Sequence, residues 1–240
     1  MRYLLEIAYK GTRYAGWQLQ PNAHTVQAEI QSALAVLLRE DVETLGCGRT
    51  DTGVHAKQFF LHFDCEAEVS HTILKSLNAV LPDDIAAKSI RQVAADFNAR
   101  FAAKSRTYEY WMIFDKNPFL KDTAALWYKT PDMVAMNQAC QMLIGKHDFQ
   151  SFSKVHTDVS NYICEITVAH WYLKDDVMVF EITANRFLRN MVRAIVGTLV
   201  MVGEGKLSLD EFSEIVASRD RREAGQSMPA CGLYLTKVQY

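Results

Sequence analysis

Apolar and polar residues alternate from the start of the chain. Met1, Tyr3, Leu5 and Ile7 fall on one side of an extended segment, and Arg2, Glu6 and Lys10 on the other, the period of two that predicts a strand. Helical spacing follows: Thr25 is a candidate N-cap, and Val26, Ile30, Ala33, Leu34, Leu37 and Leu38 recur on one face behind it. A turn punctuated by Gly46, Gly48 and Gly53 leads into a second strand. Its faces separate Phe59, Leu61, Phe63 and Cys65 from His62, Asp64 and Glu66. Ser70 opens a predicted helix through Leu74, Leu77 and Val80, stopped at Pro82, and another strand is expected from Ala86 to Val93.

The second half repeats the theme. Tyr108 to Phe114 reads as a strand, and Thr130-Pro131 as the cap and first turn of a helix ending at Gly145. Strands are expected near Tyr162–Leu173 and Val177–Thr183, a helix from about Phe187 to Val202, a capping box at Ser208–Glu211, and a closing strand from Gly232 to Val238. Strands and helices interleave, yet several strands are joined by short turns. That pattern predicts an α+β fold with a mostly antiparallel sheet. The two halves share a loose element order without a close repeat, and no Gly/Ser/Pro-rich linker parts them near residue 100.

Composition narrows the class. Of 240 residues 49% are hydrophobic and 22% charged, with 26 Lys+Arg against 28 Asp+Glu for a formal net charge of −2. Such a chain is neither disordered nor fibrous, and it carries no uniformly basic coat. Its five cysteines, at 47, 65, 140, 164 and 231, are widely spaced without a Cys-x-x-Cys pair. A disulfide framework or cysteine zinc site is therefore not expected, and a reducing cytoplasm is. The N-terminus lacks the apolar core of a signal peptide. Met191 to Gly203, the most apolar later stretch, is short for a membrane span and contains Arg193.

The most unusual stretch is Gly46-Cys-Gly-Arg-Thr-Asp-Thr-Gly53-Val-His55. A dinucleotide fingerprint begun at Gly46 would need a glycine where Asp51 stands. A P-loop begun at Gly48 would need Lys-Ser/Thr where Val54-His55 stands. What remains is a carboxylate, Asp51, on a tight glycine-bounded turn beside Arg49. By residue type it is a nucleophile, a metal ligand or a structural Asx turn. The metal reading is the weakest, because no second carboxylate or histidine lies nearby at ligand spacing.

This stretch resembles the signature of the tRNA pseudouridine synthase A family, and the resemblance runs almost end to end. It continues through Tyr9-Lys-Gly-Thr-Arg-Tyr14, Gly16-Trp-Gln18, Thr25-Val-Gln27 and Leu77-Asn-Ala-Val-Leu-Pro82-Asp-Asp-Ile85. It extends to Ser105-Arg-Thr-Tyr108-Glu-Tyr110, Gly145-Lys-His-Asp-Phe149, Asn185-Arg-Phe-Leu188 with Met191-Val-Arg193, and Gly232-Leu-Tyr-Leu235. One departure is Thr52, where many members carry alanine.

The resemblance implies an enzyme that isomerises uridine to pseudouridine at positions 38, 39 and 40 of the tRNA anticodon arm. It implies the pseudouridine synthase fold, with similar halves at residues 1–102 and 103–240 and a cleft between them. It also implies a homodimer, with no cofactor and no metal. Asp51 matches the catalytic nucleophile, Tyr108 the aromatic that stacks on the target base, and Arg193 the basic residue facing the aspartate. Arg49 steadies the loop or touches RNA. His55 is a phosphate contact or a packed strand residue, and His147-Asp148 is structural, there being no serine elbow nearby. Two other classes compete: a non-catalytic RNA-binding module, which has no need of Asp51, and a glycoside or nucleoside hydrolase, which would need a second carboxylate.

The net charge conceals a distribution. Residues 87–106 carry +4, from Lys88, Arg91, Arg100, Lys104 and Arg106 against Asp96. Residues 184–193 carry +3, from Arg186, Arg189 and Arg193, and the remainder carries −9. A basic track on an acidic body suits an RNA substrate whose binding is salt-sensitive.

Overall fold

A computed structural model describes residues 1–154 and 161–240. In chain order its elements begin β1 (Arg2–Tyr9), α1 (Val26–Leu38), β2 (Thr44–Gly46), β3 (His55–Asp64), α2 (Ile73–Val80) and β4 (Ile85–Val93). Next come β5 (Ser105–Ile113), β6 (Ala125–Leu126), α3 (Met133–Gln141), β7 (Gly145–Asp148), β8 (Ile163–Lys174) and β9 (Val177–Ala184). The chain closes with α4 (Met191–Gly203), α5 (Leu209–Ser218) and β10 (Leu233–Gln239). Two units result: residues 1–104 with Tyr234–Tyr240, and Ser105–Leu233.

In the first unit the strand order is β4-β1-β3-β10, with β2 also on β3. Every pairing is antiparallel except β3 with β10, where Tyr234 lies opposite His55 in parallel register. The alternation along β1 is real, with Tyr3, Leu5, Ile7 and Tyr9 buried, and Leu4 adds burial on the opposite face. Thr25 caps α1 by accepting from the Ala28 N–H at 3.3 Å, and Val26, Ile30, Ala33 and Leu34 form its buried face.

In the second unit the order is β5-β9-β8-β7, all antiparallel, with β6 parallel to β5. Helix α3 packs on β8, and α4 and α5 pack on α3 and on each other. The strand pairing is thus mixed and mostly antiparallel, the α+β class expected of the sequence.

Three helices begin elsewhere than their periodicity predicts. Helix α2 starts at Ile73, because the Ser70 hydroxyl accepts from the Thr72 N–H and stays in the preceding turn. The cap of α3 is Asp132 rather than Thr130: one carboxylate oxygen accepts from both Val134 and Ala135 N–H groups, satisfying two orphan donors, and the helix stops at Gln141. Helix α4 starts at Met191, not Phe187. Asn190 is left-handed at φ 66° and interrupts the helical run. Arg189 therefore lies outside α4 and shares no helical face with Arg193. The Ser208–Glu211 capping box on α5 forms as its spacing predicts. Strands β2, β6 and β7 are too short to leave a period in the sequence.

Candidate active site

Asp51 sits half-buried between β2 and β3, on a turn closed by the Val54 N–H donating to its carbonyl at 3.1 Å. A second stretch of chain, Gly11–Trp17, wraps this turn. The Trp17 N–H donates to Thr50 O at 3.2 Å, and Gly53 N–H to Tyr14 O at 3.3 Å. The Tyr9 and Thr50 hydroxyls are 2.8 Å apart. Backbone approach is so close that a Cβ on Gly11 would lie 1.9 Å from Val54 O, and one on Gly16 2.4 Å from Thr50 O. Gly16 is also left-handed, at φ 95°. Only glycine fits either position. Asp51 is thereby held on a backbone fixed at the residues before and after it.

The wrapping segment is itself tethered. Asp84, in the loop between α2 and β4, accepts from Arg13 Nε at 2.7 Å and from the Tyr14 hydroxyl at 2.6 Å, while its carbonyl accepts from Lys10 N–H at 2.9 Å. Burial opposes ionisation of Asp84, but the Arg13 and Tyr14 hydrogen bonds outweigh it and hold the carboxyl below its ordinary range. Burial, with the Asp84 carboxylate, raises the Tyr14 phenol. A chain of contacts thus runs from Asp84 through Arg13–Trp17 to the backbone on either side of Asp51.

The other resembling residues lie in the second unit. Tyr108 stands on β5 opposite Ile182 of β9, its half-buried ring edge-on to Phe187 at 5.1 Å and 85°. Two residues on, Tyr110 is fully buried and its hydroxyl donates to Pro229 O at 2.8 Å. Burial raises that phenol. Arg193 is the half-buried exception in the first turns of α4, which is otherwise apolar there, and its Nε donates to Met228 O at 2.6 Å. The Met228 N–H returns a bond to Arg193 O at 3.1 Å. The Met228 segment lies tight on α4, since a Cβ on Gly197 would meet Gln226 O at 1.9 Å. The guanidinium is thereby tied to the Met228 carbonyl.

Arg49 is exposed on the approach to the turn. His55 is buried at the start of β3, accepts from the Gly11 N–H through Nδ1 at 3.0 Å and stacks on Tyr234. These are the contacts of a packed strand residue. His147 bonds to Ile144 O through Nε2, and Asp148 accepts from Gln150 N–H and pairs with Arg219. Among the described residues no group of three His, Cys, Asp or Glu side chains is placed to hold a metal ion. The tether from Asp84 leaves no local pattern: it joins residues about seventy positions apart. Its trace in the sequence is the pair Gly11 and Gly16, bracketing Arg13 and Tyr14.

Comparison with known proteins gives a consistent result. Residues 139–240 match a family model described as tRNA pseudouridine synthase. Over 244 residues the chain is 47% identical to tRNA pseudouridine synthase A of Parabacteroides distasonis, covering all of this chain and 96% of that protein. It is 46% identical to the proteins of the same name from Porphyromonas gingivalis and Bacteroides thetaiotaomicron, again along its whole length and covering 97% and 90% of theirs.

Proposed function

The chain belongs to the tRNA pseudouridine synthase A family, and on that premise we propose that it isomerises uridine to pseudouridine at positions 38, 39 and 40 of the tRNA anticodon stem-loop, with Asp51 as nucleophile. Pseudouridine is the C-glycoside isomer of uridine. The bond from N1 of uracil to the ribose must break, the base must turn, and C5 must join the ribose. A carboxylate that attacks the nucleoside, or assists its breakdown, and holds the intermediate divides this into two easier steps without oxidation or reduction.

The observation that carries the reading is the turn of Asp51, fixed by backbone bonds at Thr50 and Gly53. A carboxylate carried on such a fixed backbone has less ordering left to undergo when substrate arrives. Tyr108 is proposed to stack on the target base. Extruding a base from a stem costs a few kcal/mol, and stacking on one ring returns ~1–3 kcal/mol. Arg193 is proposed as the basic residue that faces the nucleophile, and Arg49 as a loop or RNA contact. The protein is read as a cytoplasmic homodimer; no helix among the described residues is long and apolar enough to cross a membrane.

The test is tritium release from tRNA transcripts labelled at uracil C5, each retaining one uridine among positions 38, 39 and 40. Release from all three, with matching pseudouridine by chemical mapping, is the expected result. Binding without release would favour a non-catalytic RNA-binding module.

A further inference from the structure

The loop from Ala94 to Ala103 is fastened at many points. Arg2 Nη1 donates to Phe97 O at 2.9 Å, and the Ala99 N–H donates to Nδ1 of buried His62 at 3.1 Å. The Tyr240 hydroxyl donates to Ala99 O at 3.0 Å, and the Tyr240 ring packs on Phe97. Asn98 closes the apex: its Oδ1 accepts from Arg100 and Phe101 N–H groups, and its carbonyl from Ala102 N–H. What this rigid loop holds outward is an aromatic ring. Phe101 is 78% exposed, and the Arg100 guanidinium lies 5.5 Å from its ring centroid.

A phenylalanine normally gains its stability from burial. This ring gains little in the fold, although the backbone beneath it is fixed. Exposure alone does not identify a partner, as Phe119 shows: it is 93% exposed on another asparagine-closed turn. The surrounding charge separates the two. Within four residues of Phe119 stand Asp115, Lys116, Lys121 and Asp122, which balance, whereas within four residues of Phe101 stand Arg100 and Lys104 with no acid. An exposed ring beside cations in an acid-free segment matches an unpaired nucleotide: the base offers a π-face and the phosphate an anion.

We infer that Phe101 and Arg100 form a second nucleotide-binding element, in which Phe101 stacks on an unpaired base of the tRNA substrate and Arg100 meets its phosphate. The inference rests on the proposed tRNA substrate. The element is separate from the Asp51 turn, because its anchor His62 lies seven residues along β3 from His55, roughly 20 Å at the rise of a strand. The base it takes is therefore not the reacting uridine. Its role is to fix how the tRNA lies while the chemistry proceeds elsewhere.

The test compares wild type with Phe101→Ala, Phe101→Trp and Arg100→Ala for full-length tRNA binding across a salt series and for single-turnover pseudouridine formation at saturating enzyme. Phe101→Ala is expected to weaken binding about 5- to 150-fold, with the saturated rate retained and the salt slope unchanged. Phe101→Trp restores binding, and Arg100→Ala lowers the salt slope by about one. Wild-type affinity in Phe101→Ala would overturn the inference. So would weakened affinity that tryptophan fails to restore, or a change confined to oligomeric state. Absence of tRNA conversion by wild type would instead overturn the substrate reading, and the inference with it.

Discussion

The Tyr14 hydroxyl donates to Asp84 Oδ1 at 2.6 Å, joining the loop before β4 to the segment whose backbone grips the Asp51 turn. Asp84 is in this sense a positioning residue. Its replacement by alanine leaves Arg13 and Tyr14 without their acceptor and loosens Gly11–Trp17. Turnover is expected to fall on the order of 10- to 100-fold, the scale of a misplaced reacting group, with KM for tRNA nearly unchanged. Asp84→Asn, which keeps an acceptor oxygen, should lose less. Steady-state kinetics with one tRNA substrate checks both.

Glycines near the turn give a sharper contrast. Gly16→Ala places a Cβ 2.4 Å from Thr50 O on a left-handed backbone, whereas a Cβ on Gly48 meets nothing within 4 Å. The first substitution is expected to lower stability by about 1–3 kcal/mol or more and to lower turnover. The second should leave thermal unfolding unchanged. Parallel melting curves decide this.

Much of this arrangement is legible in the chain, and the reasons for the remainder are physical. The Thr25 cap and the Ser208–Glu211 box are local patterns that appear as the residues imply, and the apolar faces of β1 and β3 are buried as their alternation implies, while Leu4 and His62 are buried on the opposite faces as well. The start of α4 is not local in the same way: Phe187 and Leu188 continue a helical period, but Asn190 turns left-handed beforehand. In α3 two capping candidates compete, and the charged Asp132 prevails over Thr130. The return of Tyr234–Tyr240 to the first unit and the Asp84 tether depend on pairings across the chain, which no window of sequence displays. Asp51 stands out as a chemical oddity in its turn; what fixes it becomes visible only in the fold.

Arg193 spends its Nε on Met228 O. Lysine replaces the planar guanidinium with a single ammonium and removes the Nε–H that donates to that carbonyl. Arg193→Lys is expected to reduce turnover by about tenfold or more while tRNA affinity changes little. Single-turnover rates at saturating enzyme separate the two effects.

His62 pins the loop that carries Phe101, and it does so as a neutral ring accepting at Nδ1. Burial holds its pKa below the ordinary 6.5, with Arg2 acting in the same direction and Asp64 against it. Neutral His62 therefore favours the folded state. Its contribution is complete above about pH 6.5 and is lost as pH falls from there through the lower folded value. Amide exchange at Ala99, compared between neutral pH and about pH 5 after correction for intrinsic rates, should show added opening in wild type, and His62→Gln should flatten that dependence.

Asp51→Asn tests most directly whether Asp51 is the nucleophile. Asparagine keeps the size of the side chain but removes the carboxylate proposed to attack. Tritium release from C5-labelled tRNA is expected to fall by on the order of 10⁴-fold, while tRNA binding and the melting temperature stay at wild-type values. Release at the wild-type rate by Asp51→Asn would show that Asp51 is not the nucleophile.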